Sequence, residues 1–211
     1  MTIAEMRTLL GLGDEVSDAD VVEAYIAYLQ GALPGEEPVT LDEIKLHLDV
    51  ARDDQDEMLG SMIMAAREWV ENYTGLILVK RTVSQAFDSF GAVCDLYAWP
   101  VAAGSSVIVE YADSTGAEQA IADARLNTLR RPARVYPAFG ASWPTAFNGS
   151  VSVTVEAGYA TPADVPYALK AAIKIMVADF YANRESNIVG ATLASTGAVE
   201  SLCAPYRMMI V

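Results

Sequence analysis

Residues 53–79 read DDQDEMLGSMIMAAREWVENYTGLILV, and a change of period inside this stretch decides the fold class. Leu59, Met62, Ile63, Ala66, Trp69, Val70 and Tyr73 recur every three or four residues, the spacing of one helix face. The helix is predicted to start near Asp53 or Asp54, where acids favour the positive end of the helix dipole, and to stop at Gly75. Glu57, Ser61, Glu68 and Glu71 fall on the opposite side and are expected to face water, so this amphipathic helix packs on something. From Leu76 onward the period becomes two, that of strands. One helix running into a β-region makes the chain α+β.

Working outward, Thr40 and Glu43 form a capping box ahead of Leu41, Ile44 and Leu48, a short helix. Further upstream, Thr2 with Glu5 and Ser17 with Asp20 begin two more helical runs. Residues 1–33 thus read as a helical hairpin, joined to the rest by a linker of glycine, proline and acids over 34–38. Downstream, Val107, Val109 and Tyr111 alternate with Ile108 and Glu110. The turn Asp113-Ser114-Thr115-Gly116 then returns the chain near Gln119 to Ile121, a hairpin. Val151, Val153 and Val155 alternate with polar neighbours as a half-buried strand. Arg130 to Pro144, rich in proline and aromatics, suits an irregular excursion or an edge strand.

Helical period returns after Pro162 and Pro166. Ala168, Leu169, Ala172, Ile173, Ile175, Met176, Val177, Phe180 and Tyr181 run nearly all round this helix, interrupted by Lys170, Lys174 and Asp179. Such a helix must be buried on most faces, in its own core or against a neighbouring subunit. Ile173, Val177, Phe180 and Tyr181 are therefore candidate subunit contacts. The expected core spans 39–186, with helices over 40–75 and 164–183 and an antiparallel β-region inserted over 76–158. A C-terminal segment, 187–211, follows: small and flexible residues to Gly197, a short helix over Ala198 to Tyr206, and an apolar tail, Met208 to Val211.

The chain has 211 residues, 53% apolar and 20% charged, enough for a substantial core. No apolar run approaches the roughly 20 residues of a membrane span, and no secretory leader is apparent, so a soluble, cytoplasmically made protein is expected. The net charge of −14 is regional. Met1 to Gly75 holds 17 acids and 4 bases, whereas Leu76 to Val211 holds 11 acids and 10 bases. An acidic face repels phosphates, which argues against a DNA-gripping module. Cys94 and Cys203 stand far apart and read as buried small apolar residues, not as a disulfide or a zinc site.

Catalytic patterns are missing. His47 is the single histidine, in a short helix, no serine sits in a GxSxG elbow, and Gly11-Leu12-Gly13 lacks both the third glycine and a preceding strand. Asp53, Asp54, Asp56 and Glu57 could suggest a cation site but lack the glycine and distal glutamate of a calcium loop, so a helix start is the better reading. Arg130, Arg131 and Arg134 read as an ion-pair patch within or between subunits. Stacking on nucleic acid with Tyr136, Phe139 and Trp143 is the other reading. No catalytic, cofactor-binding or metal-binding residue is expected, and no enzyme.

Across Val39 to Arg207, about four fifths of the chain, the order of pieces resembles the head-tail connector family of long-tailed phages, adaptor or head-completion proteins associated with DNA packaging. The matching pieces are Val39 to Lys45, Ala65 to Glu71, Tyr73 to Gly75, Pro132 to Val135 and Gly140 to Pro144. Ala157 to Tyr159, Val165-Pro166, Ala168 to Lys170, Asn183 to Glu185 and Ala204 to Arg207 complete them. Each alone is a cap, a turn or a packing stripe, and the specificity lies in their order. The resemblance implies a virion structural protein at the head-tail junction, synthesised in the host cytoplasm. It implies a ring of copies, a dodecamer, below the portal protein and above a downstream neck or tail-terminator protein, with no membrane partner. DNA would pass through the channel without sequence-specific binding. It also implies that the hairpin over 1–33 is an addition to the family pattern. The C-terminal segment could then order on docking, with Leu202, Tyr206, Met208, Met209 and Ile210 laid into a portal groove, the alternative being a tail that folds back on its own subunit. Another neck or tail-completion protein is the second reading, and a small acidic enzyme the third.

Overall fold

The computed structural model describes residues 36–101, 104–121, 123–183 and 197–208. The chain divides into two compact units, Met1–Gly35 and Glu36–Val211. The hairpin expected over 1–33 lies outside the described residues, as do residues 187–196 and the tail residues Met209, Ile210 and Val211.

Helix α1 (Leu41–Leu48) starts where Thr40 accepts a hydrogen bond from the Glu43 N–H at 3.2 Å. Helix α2 (Asp56–Thr74) carries Asp56 and Glu57 in its first turn and ends on Gly75, whose φ of 65° few other residues adopt without strain. Lys45 joins the two helices by pairing with Asp53 and Asp56. The long helix α3 (Tyr167–Ala182) and the short α4 (Gly197–Cys203) complete this part. Ile44, Leu59, Ile63, Val70, Leu169, Ile173 and Val177 are buried together at its centre.

Among the described residues between α2 and α3 run seven strands: β1 (Arg81–Phe87), β2 (Cys94–Leu96), β3 (Val107–Ala112), β4 (Glu118–Ile121), β5 (Arg125–Asn127), β6 (Ala133–Tyr136) and β7 (Val151–Ala157). They form an antiparallel sheet in the order β1-β7-β3-β4 and a smaller one in the order β2-β6-β5. The β3–β4 hairpin turns where the sequence predicts. Asp113 accepts hydrogen bonds from Thr115 N, Thr115 Oγ1 and Ala117 N, and these hold its carboxyl below the usual range. The β-region has its own core of Val107, Val109, Val135, Val151, Val153 and Val155.

Residues 76–79 connect the two cores. Leu76 and Leu78 bury in the helical cluster, whereas Ile77 buries in the β cluster, because successive side chains of an extended segment point to opposite sides. Cys203 lies in the first cluster and Cys94 in the second, both free, and burial pushes both thiols up from their ordinary value.

Three expectations need correction. Residues 133–136, expected within an irregular excursion or an edge, form β6, the central strand of the small sheet. Pro132 lacks an N–H but precedes the strand, so no ladder bond is lost, and Ala133 and Val135 alternate inward. Glu71, expected in water, is buried, while Glu57, Ser61 and Glu68 are exposed. The linker expected over 34–38 stops short of its predicted end: Pro38 and Val39 are buried, and Glu37 pairs with Arg67.

Candidate assembly surfaces

Buried polar groups set how rigidly the surfaces of this chain are held. Glu71 accepts four hydrogen bonds: from Arg67 Nη1 at 3.0 Å, Leu78 N at 2.7 Å, and Arg81 Nη1 and Nη2, both at 3.0 Å. Arg67 in turn donates through Nε to both oxygens of Glu37, at 3.1 and 3.0 Å. Burial raises the Glu37 carboxyl above its ordinary range, outweighing the attraction of Arg67. One network thus fixes the segment entering α1, the last turns of α2 and the start of β1.

Arg131 forms a second joint. Its guanidinium donates to the carbonyls of Thr74 and Gly75, both at 2.9 Å, and to that of Tyr206 at 2.8 Å. A cation at the C-terminal end of α2 meets carbonyls that have no partner in the helix, which is favourable. The Met208 N–H also donates to the Thr74 carbonyl, at 3.3 Å, and the Arg207 guanidinium lies 5.3 Å from the centre of the Tyr73 ring. Residues 204–208 are therefore strapped across the end of α2.

These contacts revise the candidate sites. Ile173 and Val177 are fully buried in the chain's own core and offer nothing to a neighbour. Phe180 and Tyr181 are half-buried against the same core, and the Tyr181 hydroxyl donates to Gln55 Oε1 at 2.8 Å. Arg131 holds backbone carbonyls, not a carboxylate. Arg134 pairs with Asp95 at 2.6 Å, and Arg130 is exposed. Of the predicted tail, Leu202 and Tyr206 pack on the helical cluster and Met208 is half-buried, so these fold back on their own subunit, while Met209 and Ile210 lie outside the described residues. His47 is exposed on α1. Trp143 stacks on Phe90 at 4.7 Å, inside the β-region.

Exposed apolar side chains mark what remains available. Leu46 on α1 is 85% exposed, Tyr167 at the start of α3 86%, and Leu129 and Phe139 in the β-region 95% and 86%. Leu129 and Phe139 line a surface cleft of about 800 Å³ together with Arg125, Tyr136 and the segment Gly104–Val107. No exposed residue type in this set is diagnostic of chemistry, and sequence periodicity flags none of them, because it reports what faces the core. Among the described residues no helix is long and apolar enough to cross a membrane.

Residues 38–102 match the family described as "Phage gp6-like head-tail connector protein". About four fifths of the chain finds a similar fold in solved particle structures. The chain is similar, with a TM-score of 0.67 and 25% identity, to a chain of the "Neck of empty GTA particle computed with C6 symmetry", over 82% of this chain and 91% of that one. The corresponding values for the "Neck of native GTA particle computed with C12 symmetry" are 0.62 and 26%, over 81% and 89%. For the "Virion of native gene transfer agent (GTA) particle" they are 0.65 and 24%, over 82% and 91%. No curated protein matches the chain.

Proposed function

We propose that this chain, which carries the phage gp6-like head-tail connector module in residues 38–102, is a structural protein of the virion neck and works there as a ring-forming adaptor. The observation that carries the neck assignment is the similarity to neck chains over more than four fifths of this chain, with a quarter of the aligned residues identical. The role is architectural, not catalytic. Copies close into a ring, twelve on the family pattern, between the portal and a downstream neck or tail-terminator protein, and DNA passes through the channel. The symmetric necks in which similar chains sit favour a closed ring. The net charge of −14 favours passage over adhesion, since an acidic protein repels phosphates.

Phe180, Tyr181 and Arg130 are subunit contacts in this reading, each retaining accessible surface. Native mass spectrometry over a range of concentrations, with negative-stain images of the same samples, tests the ring: closed particles of one dominant stoichiometry are expected. A monomer at every concentration, with and without portal, would overturn it.

Docking to the portal falls to the end of the chain. Residues 204–208 are held on their own subunit by Arg131 and by the Met208 N–H bond to Thr74, so the portal-binding element in this proposal is Met209 to Val211. Removing Met209 to Val211 is expected to weaken portal binding at least about tenfold and to leave the thermal melt unchanged. Unchanged binding in a pull-down against purified portal would exclude the tail as the docking element.

A further inference from the structure

A ring built from one kind of chain needs two different patches per copy, one to give and one to receive. The cleft of the β-region has the features of the receiver. From Ala124 to Val155 the sequence holds four arginines and no acidic residue, within a chain of net charge −14. Arg131 and Arg134 are engaged within the subunit, but Arg125 and Arg130 form no ion pair among the described residues. The Arg125 guanidinium is held in place: it lies 3.8 Å from the centre of the Phe139 ring and 5.6 Å from that of Tyr136, and its Nε donates to the Pro137 carbonyl at 2.9 Å. Leu129, 95% exposed, and Phe139, 86% exposed, supply apolar area beside this charge.

The complement is on α1. Asp42, Glu43 and Leu46 follow one another at offsets of zero, one and four, so they share the face opposite the fully buried Ile44, and the exposed Asp49 adds a further acid at the C-cap of the helix. Leu46, 85% exposed, is the apolar residue of that ridge. Asp42 and Asp49 form no ion pair among the described residues, and Glu43 has a half-exposed one to Lys174 at 3.3 Å. Within one copy the ridge and the cleft do not touch, because Leu46 and Leu129 are both bare. We infer that neighbouring copies join head to tail, the acidic α1 ridge of one seated in the arginine-bearing cleft of the next. The inference rests on the ring reading and gives it one of its contacts.

The test places one cysteine on each patch. In a full-length chain carrying Leu46→Cys and Leu129→Cys, a short bis-maleimide is expected to give a ladder of covalent oligomers up to the ring size. Each single variant should stay monomeric on the same gel. Cys94 and Cys203 are buried and do not compete. Both substitutions replace bare side chains, so folding is not at risk. A second arm reverses charge: Arg125→Glu with Arg130→Glu should weaken assembly at least about tenfold, and adding Asp42→Lys with Glu43→Lys should restore it. Wild-type rings without a ladder, or with assembly indifferent to charge reversal, would overturn this interface and leave the ring standing. A wild-type chain that never assembles, alone or on portal, would overturn both.

Discussion

Glu71→Ala is expected to cost about 3–5 kcal/mol of folding stability, the usual loss when one partner of a buried ion pair is removed. The carboxylate is 8% exposed and collects four hydrogen bonds, from Arg67, Leu78 and both terminal nitrogens of Arg81. Arg81, about a third exposed, can turn to water once the carboxylate is gone. Arg67 cannot: its side chain is 7% exposed and would keep Glu37 alone, while the Leu78 N–H would lose its acceptor in a buried site. Urea unfolding should show a lower midpoint at an unchanged slope. A loss below about 1 kcal/mol, typical of exposed pairs, would mean that water reaches the network.

This network also shows where sequence reading stops. The register of α2 was legible because Leu59, Ile63, Ala66 and Val70 repeat at helical spacing, and all four are buried. The same pattern put Glu71 in water, since period assigns polar residues to the outside by default. Its partners are Arg67 four residues earlier, Leu78 seven later and Arg81 ten later, and only the fold brings the last two near. No local rule pairs them.

The β-region divides in the same way. Strand β7 alternates valine with polar residues and is legible in the sequence, because it is central in its sheet and buried on one face. Strand β1, RTVSQAF, lies at the edge of that sheet and is at most half-buried at every position, so its alternation is faint. Strands β2 and β5 have three residues each, too few for a period to show. Side-chain amides do part of the joining: Gln85 donates to the Asp95 carbonyl and accepts from the Tyr97 N–H, both at 3.0 Å, tying β1 to the small sheet. The assembly surfaces were less legible still. An apolar helix predicts burial but not by whom, and Ile173 and Val177 turn out to be covered by their own chain. Leu46 and Leu129 are bare for a reason that periodicity does not encode.

Gly158→Ala should be nearly as damaging as the loss of Glu71, for a purely steric reason. Gly158 follows β7 with φ at +119°, a region L-residues rarely enter, and its N–H donates to the Pro100 carbonyl at 2.8 Å. A methyl group there would stand 2.6 Å from Lys80 Cα, 2.7 Å from Lys80 N and 2.8 Å from Val79 C. These are backbone atoms and cannot swing aside as a side chain could. Backbone strain and overpacking together cost about 3 kcal/mol or more, a fall in Tm on the order of 10 °C for a chain of this size. A Tm within about 2 °C of the parent would show that residues 79–80 yield easily. The site matters for assembly because Val79 and Lys80 carry the chain from the helical core into β1. Moving them changes the angle between the α1 ridge, built on one core, and the cleft, built on the other. Ring closure depends on that angle being the same in every copy, so a variant that folds at low temperature should still close poorly, giving open or mixed oligomers in native mass spectra.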